Sequence, residues 1–391
     1  MEIRPFTLTV PQADIDDLRD RLARTRWPGQ GGAAGWERGV PLDYLRDLAE
    51  YWRTGFDWRQ QEARLNEVPQ IVTEIDGQTL HFLHARSPEP GAFPLIMTHG
   101  WPSSVFEFLE VIGPLTDPAA HGGDAADAFH LVVPSLPGFG LSTPVPAPGW
   151  GNLFRVAQAY AGVMGALGYG RYGAQGGDVG AGVSGMLGML DAERVAAVHV
   201  CGPVPYPFGP PVDPEGLAPA DAERARRFNE YQRDGLGYLH LQSTRPQTLG
   251  YALNDSPVGQ LAWIVEKYRE WTDPAAALPE DAVDRDLLLA TVSLTWFRGA
   301  GASSAHTTYE GMQAFREFVE SAEGSGAAPP PPATPTGAAV FAGDNSIRSV
   351  IDPAGAYVRW TDYDRGGHFA ALEVPDLLVD EVRSFFRAYR G

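Results

Sequence analysis

The stretch Ala174-Gln175-Gly176-Gly177-Asp178-Val179-Gly180 decides how the rest of the chain is read. Arg171 to Gln175 reads as a short strand, and the small-residue run from Ala181 to Leu190 has helical spacing. The pattern is therefore a strand, a sharp turn and a helix. Gly176 and Gly180 stand two residues before and two after Asp178. Side chains at those places would collide with the neighbours of a tight turn, so the spacing is that of a nucleophile elbow with one residue displayed at its apex. That residue is Asp178, where the commonest version of the motif carries serine.

The exchange alters the chemistry. A serine would make an acyl-enzyme from an ester or amide, whereas a carboxylate displaces a leaving group at a saturated carbon and becomes an alkyl ester. Epoxides and alkyl halides are the matching substrates. A serine hydrolase is the least favoured reading, because Ser184 has Met186 where an elbow needs a small residue.

Upstream of the elbow the chain shows three regimes. Residues 1–65 read as a helical arm. Asp14 is expected to cap a helix with Ile15, Leu18 and Leu22 on one face, closed by Trp27-Pro28-Gly29, and a second helix follows with Leu42, Leu45, Leu48 and Trp52 inward. From Pro69 the period becomes two. Ile71 to Ile75, the Asp76-Gly77 turn and Thr79 to Ala85 form a β-hairpin. The strand Leu95 to Thr98 then runs into His99-Gly100-Trp101-Pro102-Ser103-Ser104, with Ser104 and Glu107 spaced as a capping box. A strand ending at a helix N-terminus is where an α/β enzyme binds developing negative charge. The next strand, His130 to Pro134, leads into Gly138-Phe139-Gly140, which lacks the third glycine of a dinucleotide site. Leu153 to Leu167 is the helix that returns to the elbow strand.

Downstream, Val195 to Val200 is an apolar strand. Residues 204–301 interrupt the strand and helix alternation with Phe228, Tyr231, Tyr238, Trp263, Tyr268, Trp271 and Trp296 at helical spacing. They read as an inserted helical lid, most of its aromatics serving its core and a few lining a pocket. Pro329 to Pro332 is a short stiff connector. Strands Gly337 to Ala342 and Tyr357 to Thr361 and a closing helix through Leu377, Val382, Phe385 and Phe386 complete the chain. The expected fold is α/β: a mostly parallel central sheet flanked by helices, built from residues 66–203 and 302–391, with the lid inserted and the arm packed outside.

Bulk composition narrows the partners. Thirty basic against 49 acidic residues give a net charge of −19, which repels nucleic acid and anionic membranes. No run reaches the length of a membrane span, and no signal-peptide core opens the chain, so a soluble, cytoplasmic protein is expected. The single cysteine, Cys201, excludes an internal disulfide and reads as a small buried hydrophobe. There is no HExxH motif, and His81 and His84 fall on opposite faces of one strand, so neither a metal nor any cofactor is expected.

Three polar residues stand at the ends of expected strands, in the order Asp178, Asp344, His368. Nucleophile, acid and base in that order is the arrangement of α/β-hydrolases. Asp178 would attack carbon, His368 would take a proton from the water that cleaves the ester, and Asp344 would hold the imidazole. Asp362 and Asp364 also lie close to His368 in sequence and compete with Asp344 for that part. The oxyanion formed by water attack would be met by the backbone N–H groups of Trp101 and Val179.

Four motifs together resemble the microsomal-type epoxide hydrolases: His99 to Ser104, the elbow, Leu253-Asn254-Asp255-Ser256-Pro257-Val258-Gly259 in the lid, and Arg365 to Glu373. The arm up to about Trp58 is similar to the N-terminal domain of that family, so the likeness spans nearly the whole chain. It implies a small apolar epoxide and water as reactants, a vicinal diol as product and an ester on Asp178; the membrane anchor of the mammalian members is missing here, so a soluble version is expected, with a homodimer as a candidate assembly. The resemblance also implies two lid tyrosines that protonate the epoxide oxygen. Tyr238 matches the first. For the second, Thr308 stands where a tyrosine is expected and Tyr309 follows it, so Tyr309 is the candidate after a one-residue helical shift.

Two other readings compete. A haloalkane or haloacid dehalogenase shares the aspartate nucleophile, but commonly uses an indole N–H beside it, which Val179 does not supply. A non-catalytic α/β-hydrolase homologue is motivated by Thr308 and opposed by the complete set of nucleophile, acid and base.

Overall fold

The structure is a computed structural model of the 391-residue chain, and it describes residues 1–32, 35–203, 210–325 and 334–390. The Pro329 to Pro332 connector and the first residues of the expected lid, 204–209, lie outside the described residues.

The strands are β1 (Arg4–Phe6), β2 (Gln70–Ile75), β3 (Gln78–Ala85), β4 (Phe93–Thr98), β5 (Phe129–Pro134), β6 (Tyr172–Gly177), β7 (Val195–Cys201), β8 (Thr336–Val340) and β9 (Arg359–Asp362). They form one sheet in the order β1-β2-β3-β5-β4-β6-β7-β8-β9. The pairs from β5 through β9 are parallel, and the β1, β2 and β3 edge is antiparallel. The hairpin turn is Asp76-Gly77, both residues at positive φ (51° and 77°), the geometry a two-residue hairpin needs.

Side chains alternate across the sheet. Leu95 and Met97 join one apolar cluster and Ile96 the other. The helices are α1 (Gln12–Ala23), α2 (Leu42–Thr54), α3 (Trp58–Asn66), α4 (Leu109–Thr116), α5 (Leu153–Ala166), α6 (Val179–Leu190), α7 (Pro219–Glu230), α8 (Gly237–Gln242), α9 (Pro246–Asp255), α10 (Pro257–Trp271), α11 (Arg285–Phe297), α12 (Ala300–Ser325), α13 (Arg348–Ile351), α14 (Ala370–Glu373) and α15 (Pro375–Phe386). On one face α5 and α6 bury Val156, Tyr160, Met164, Val183 and Leu187, while on the other α4 and α15 bury Val111, Leu115, Leu378, Val382 and Phe386.

Several local details differ from the sequence reading. α1 begins at Gln12 after Pro11, and Asp14 lies inside its first turn, where its charge meets the helix dipole instead of capping it. Ser104 accepts from the Phe106 N–H and opens a 3₁₀ turn, Val105–Phe108, ahead of α4. The arm adds β1 to the sheet edge and a third helix, α3, capped by Asp57. α12 crosses residue 301 without a break, so the helical insertion between β7 and β8 extends past that boundary.

The arm is tied to the lid. Trp52 Nε1 donates to Ser293 Oγ at 2.8 Å, Tyr44 O–H to Glu280 at 2.7 Å and Tyr51 O–H to Asp286 at 2.8 Å. Buried side chains of α1, α2, α10 and α11 share one cluster with the α4 and α15 face of the sheet. The arm thus fixes the lid over the ends of the parallel strands, where loops of an α/β sheet carry function.

Candidate active site

Asp178 sits between β6 and α6 at φ 52°, ψ −125°, a strained conformation for a residue with a side chain. The flanking glycines account for it. A Cβ on Gly180 would overlap the Thr98 carbonyl, and one on Gly176 would overlap the Gly180 backbone. Gly100 is needed for the same reason from the other side, since its Cβ would overlap Asp178 itself. The β4 loop therefore closes onto the nucleophile, and the Trp101 N–H donates to Asp178 Oδ1 at 2.8 Å. Val179 begins α6 immediately after it.

The β4 loop is held by His99, which is buried. Its Nε2 accepts from the Leu136 N–H at 3.2 Å, leaving Nδ1 to donate to the Gly100 carbonyl at 2.9 Å. Burial pushes its pKa down to about 4, so the ring stays neutral and keeps that tautomer.

His368 places Nε2 3.9 Å from Asp178 Oδ2. Its backbone N–H donates to the Trp271 carbonyl at 2.8 Å, and its ring lies 4.9 Å from the Trp271 ring. Two carboxylates brace the surrounding loop: Glu373 accepts from the N–H groups of Phe369 and Asp273, and Asp273 accepts from Gly366. Gly367 has no room for a side chain against the end of α10.

Asp344 follows β8 and is 6% exposed. Burial pushes its carboxyl up to about 6, against the pull of the Phe341 N–H, which donates to Oδ2 at 2.7 Å, and of the His368 charge. Asp344 and His368 interact through space without a direct hydrogen bond. The sequence competitors are engaged elsewhere, Asp362 with Arg224 at 2.7 Å, while Asp364 is exposed.

Tyr238 on α8 stacks on Trp101 (centroids 4.8 Å, 13°) and meets Trp271 edge to face at 5.4 Å. Burial first, then Tyr231 and Asp178, hold its phenol well above the ordinary 10, so it keeps its proton at neutral pH. Tyr309 departs from the expectation. It is 37% exposed on α12, where the neighbouring Thr307 packs on Gly138 and bonds Ser304. A step of one residue turns a helical side chain by about 100°, which carries 309 off the inward face. The phenol that does meet Tyr238 is Tyr231, O–H to O–H at 2.9 Å. Tyr231 was legible only as one lid aromatic among several, and its one signal was a spacing of seven from Tyr238, two helical turns.

The other sequence candidates have structural duties. His81 bonds Ser135 and Gln70, and His84 bonds Tyr169. Ser184 is buried within α6, and burial pushes the Cys201 thiol up. Among the described residues no cluster of three metal-ligating side chains occurs and no helix is long and apolar enough to cross a membrane. A narrow cavity of about 20 Å³ lies beside Trp101 between core and lid, walled by Pro102, Phe139, Leu253, Trp263 and Ile264.

Comparison with known proteins is consistent with this geometry. Residues 3–108 match the family model of the epoxide hydrolase N terminus, and residues 94–233 that of the alpha/beta hydrolase fold. A Stigmatella aurantiaca (strain DW4/3-1) protein provisionally named as an epoxide hydrolase is 44% identical over 100% of this chain and 86% of its own length. Epoxide hydrolase 1 of Sus scrofa is 32% identical over 98% of this chain and 88% of its own. The chain belongs to the epoxide hydrolase family. Within that family, the solved structure of the Aspergillus niger epoxide hydrolase covers 100% of this chain and 97% of its own, with a TM-score of 0.85 at 32% identity. The juvenile hormone epoxide hydrolase of the silkworm Bombyx mori gives 0.81 at 27%, covering 100% and 94%.

Proposed function

We propose that this epoxide hydrolase family member opens a small apolar epoxide to a vicinal diol through an ester on Asp178. The observation that carries the reading is a carboxylate displayed at positive φ, gripped by the Trp101 N–H, with an imidazole nitrogen 3.9 Å away. Asp178 attacks an epoxide carbon, the C–O bond breaks, and the Tyr238 phenol gives its proton to the departing oxygen. Water then loses a proton to His368 and adds to the ester carbonyl. The oxyanion meets the N–H groups of Trp101 and Val179, and the imidazolium faces the Asp344 charge. Collapse expels the alkoxide, which takes the imidazolium proton and leaves as the diol, and the proton of the regenerated Asp178 carboxyl returns to the phenolate. An aliphatic Val179 beside the nucleophile weighs against halide abstraction. A cytoplasmic location fits the single cysteine, Cys201, which suits a reducing compartment.

His368→Gln tests the reading. Alkylation needs no general base because a carboxylate attacks carbon directly, while ester hydrolysis must take a proton from water. Incubated with a panel of aryl and alkyl epoxides, the variant should gain the mass of one intact epoxide on Asp178 and release almost no diol. Unmodified protein after saturating exposure to substrates the wild type turns over would sink it.

A further inference from the structure

The ring-opening step leaves a phenolate in a poor place for one. Tyr238 is partly buried, and desolvation first, then Tyr231, Asp178 and Glu270, raise its pKa. Among the described residues one cation stands over its ring. Lys267, the only lysine in the chain, sits 4.9 Å over the Tyr238 ring. Its ammonium, however, is already shared between Glu266 at 2.8 Å and Glu270 at 2.6 Å. It can attract the ring but has two carboxylates to neutralise first. A phenolate in a low-dielectric site needs a hydrogen-bond donor, because an unpaired buried charge is costly.

Tyr231 is placed to supply one. It opens a π-helical turn, Tyr231–Gly235, at the end of α7, with its hydroxyl 2.9 Å from that of Tyr238. It too is partly buried and within the field of Asp178. Its position is fixed by the catalytic loops rather than by the lid alone. One turn earlier on α7, Arg227 donates to the carbonyls of Ala342 and Asp344 at 3.1 and 2.8 Å and to Asn345 Oδ1 at 3.2 Å. Arg224 pairs with Asp362 at the end of β9. α7 is thereby bolted to the loop that carries Asp344. At the other end, the ring of Tyr238 is pinned by Trp101 and Trp271.

We propose that Tyr231 and Tyr238 act as a phenol dyad: one gives its proton to the oxygen released from the epoxide, and the other donates a hydrogen bond to the resulting phenolate. The proposal rests on the reading that Asp178 opens the epoxide. The balance is simple. The C–O pair goes to oxygen, one phenolic proton follows it, and the second phenol keeps its proton while strengthening its bond to the new anion. That proton deficit is made good when hydrolysis of the ester releases one proton. Tyr231 on this account is a positioning residue that works through Tyr238, so the two hydroxyls count once and not twice.

The test uses ester formation in the His368→Gln background, timed by rapid quench and intact mass with the best epoxide of the panel. Tyr231→Phe added to it should slow ester formation about 10- to 100-fold, the worth of a hydrogen bond to a charged group. Tyr238→Phe should slow it about a hundredfold or more. The variant with all three changes should be as slow as the slower of these and no slower, because residues that act as a unit are not additive. Thermal melting of each variant within a few degrees of the parent separates the effect from folding. Equal rates with and without Tyr231→Phe would overturn the dyad, as would losses that multiply in the triple variant. Failure of the His368→Gln parent to form any ester would instead overturn the reading of Asp178 on which the dyad stands.

Discussion

At the elbow the backbone does the positioning, and at the lid the side chains do. Asp178 is held where it is by what its neighbours lack: Gly100, Gly176 and Gly180 each occupy a place in which a Cβ would overlap another part of the turn. Tyr238 is held by what its neighbours add, the rings of Trp101 and Trp271 and the hydroxyl of Tyr231. The first arrangement is written in the spacing of a few consecutive residues. The second is assembled from α8, α10, the π turn after α7 and the β4 loop. A backbone device tolerates no change in its glycines, whereas a side-chain device can be rebuilt with a phenol from a different helix, the part we propose for Tyr231.

The comparison breaks most visibly at Gly180. Gly180→Ala places a methyl group on the Thr98 carbonyl, and overpacking of that severity should cost more than about 3 kcal/mol. Gly185, five residues along the same helix, meets nothing within 4 Å. Gly185→Ala should raise stability by about 0.5–1 kcal/mol, through helix propensity and a less mobile unfolded chain. Denaturant unfolding of both variants checks this, and similar behaviour of the two would show that the elbow is not sterically fixed.

A smaller effect separates the acid from the nucleophile. Asp344 holds its proton up to about pH 6, and only its anion steadies the imidazolium. Ester hydrolysis should therefore fall toward tenfold per unit below about pH 6, measured as decay of preformed ester. The sign for folding is opposite. The carboxyl is raised from 3.8 in the unfolded chain, so the folded state holds the extra proton between those values. Asp344 makes the fold less stable as pH rises through that window, and function needs the form that folding disfavours.

The smallest effect belongs to Tyr309. Its exposure on α12 predicts that Tyr309→Phe turns over within about twofold of wild type, since surface changes away from special features rarely matter. A large loss of ester formation would return the second proton donor to α12.

The same contrast explains what the sequence made legible. The elbow, the hairpin at Asp76-Gly77 and the order Asp178, Asp344, His368 are local or ordinal features, and reading them requires no knowledge of packing. Choosing Tyr309 required knowing the rotation of a long helix to within one residue, and a single step of about 100° separates pocket from solvent. β1 escaped because three residues show no alternation to detect; it forms because the exposed edge of β2 offers unpaired backbone groups. Tyr231 sat in plain view as a lid aromatic, but only the anchoring of α7 on the Asp344 loop shows where its hydroxyl goes. Glu373 and Asp273, 100 residues apart, jointly brace the His368 loop, a pairing that no local pattern announces.

The central claim is that Asp178, and not water, makes the new bond to carbon. A single turnover in isotopically labelled water, with enzyme in excess over epoxide, tests it directly. The account predicts that the first diol carries an unlabelled oxygen from Asp178 and that the solvent label appears in the peptide containing Asp178. Solvent label in the first-turnover diol, with Asp178 unlabelled, would contradict it.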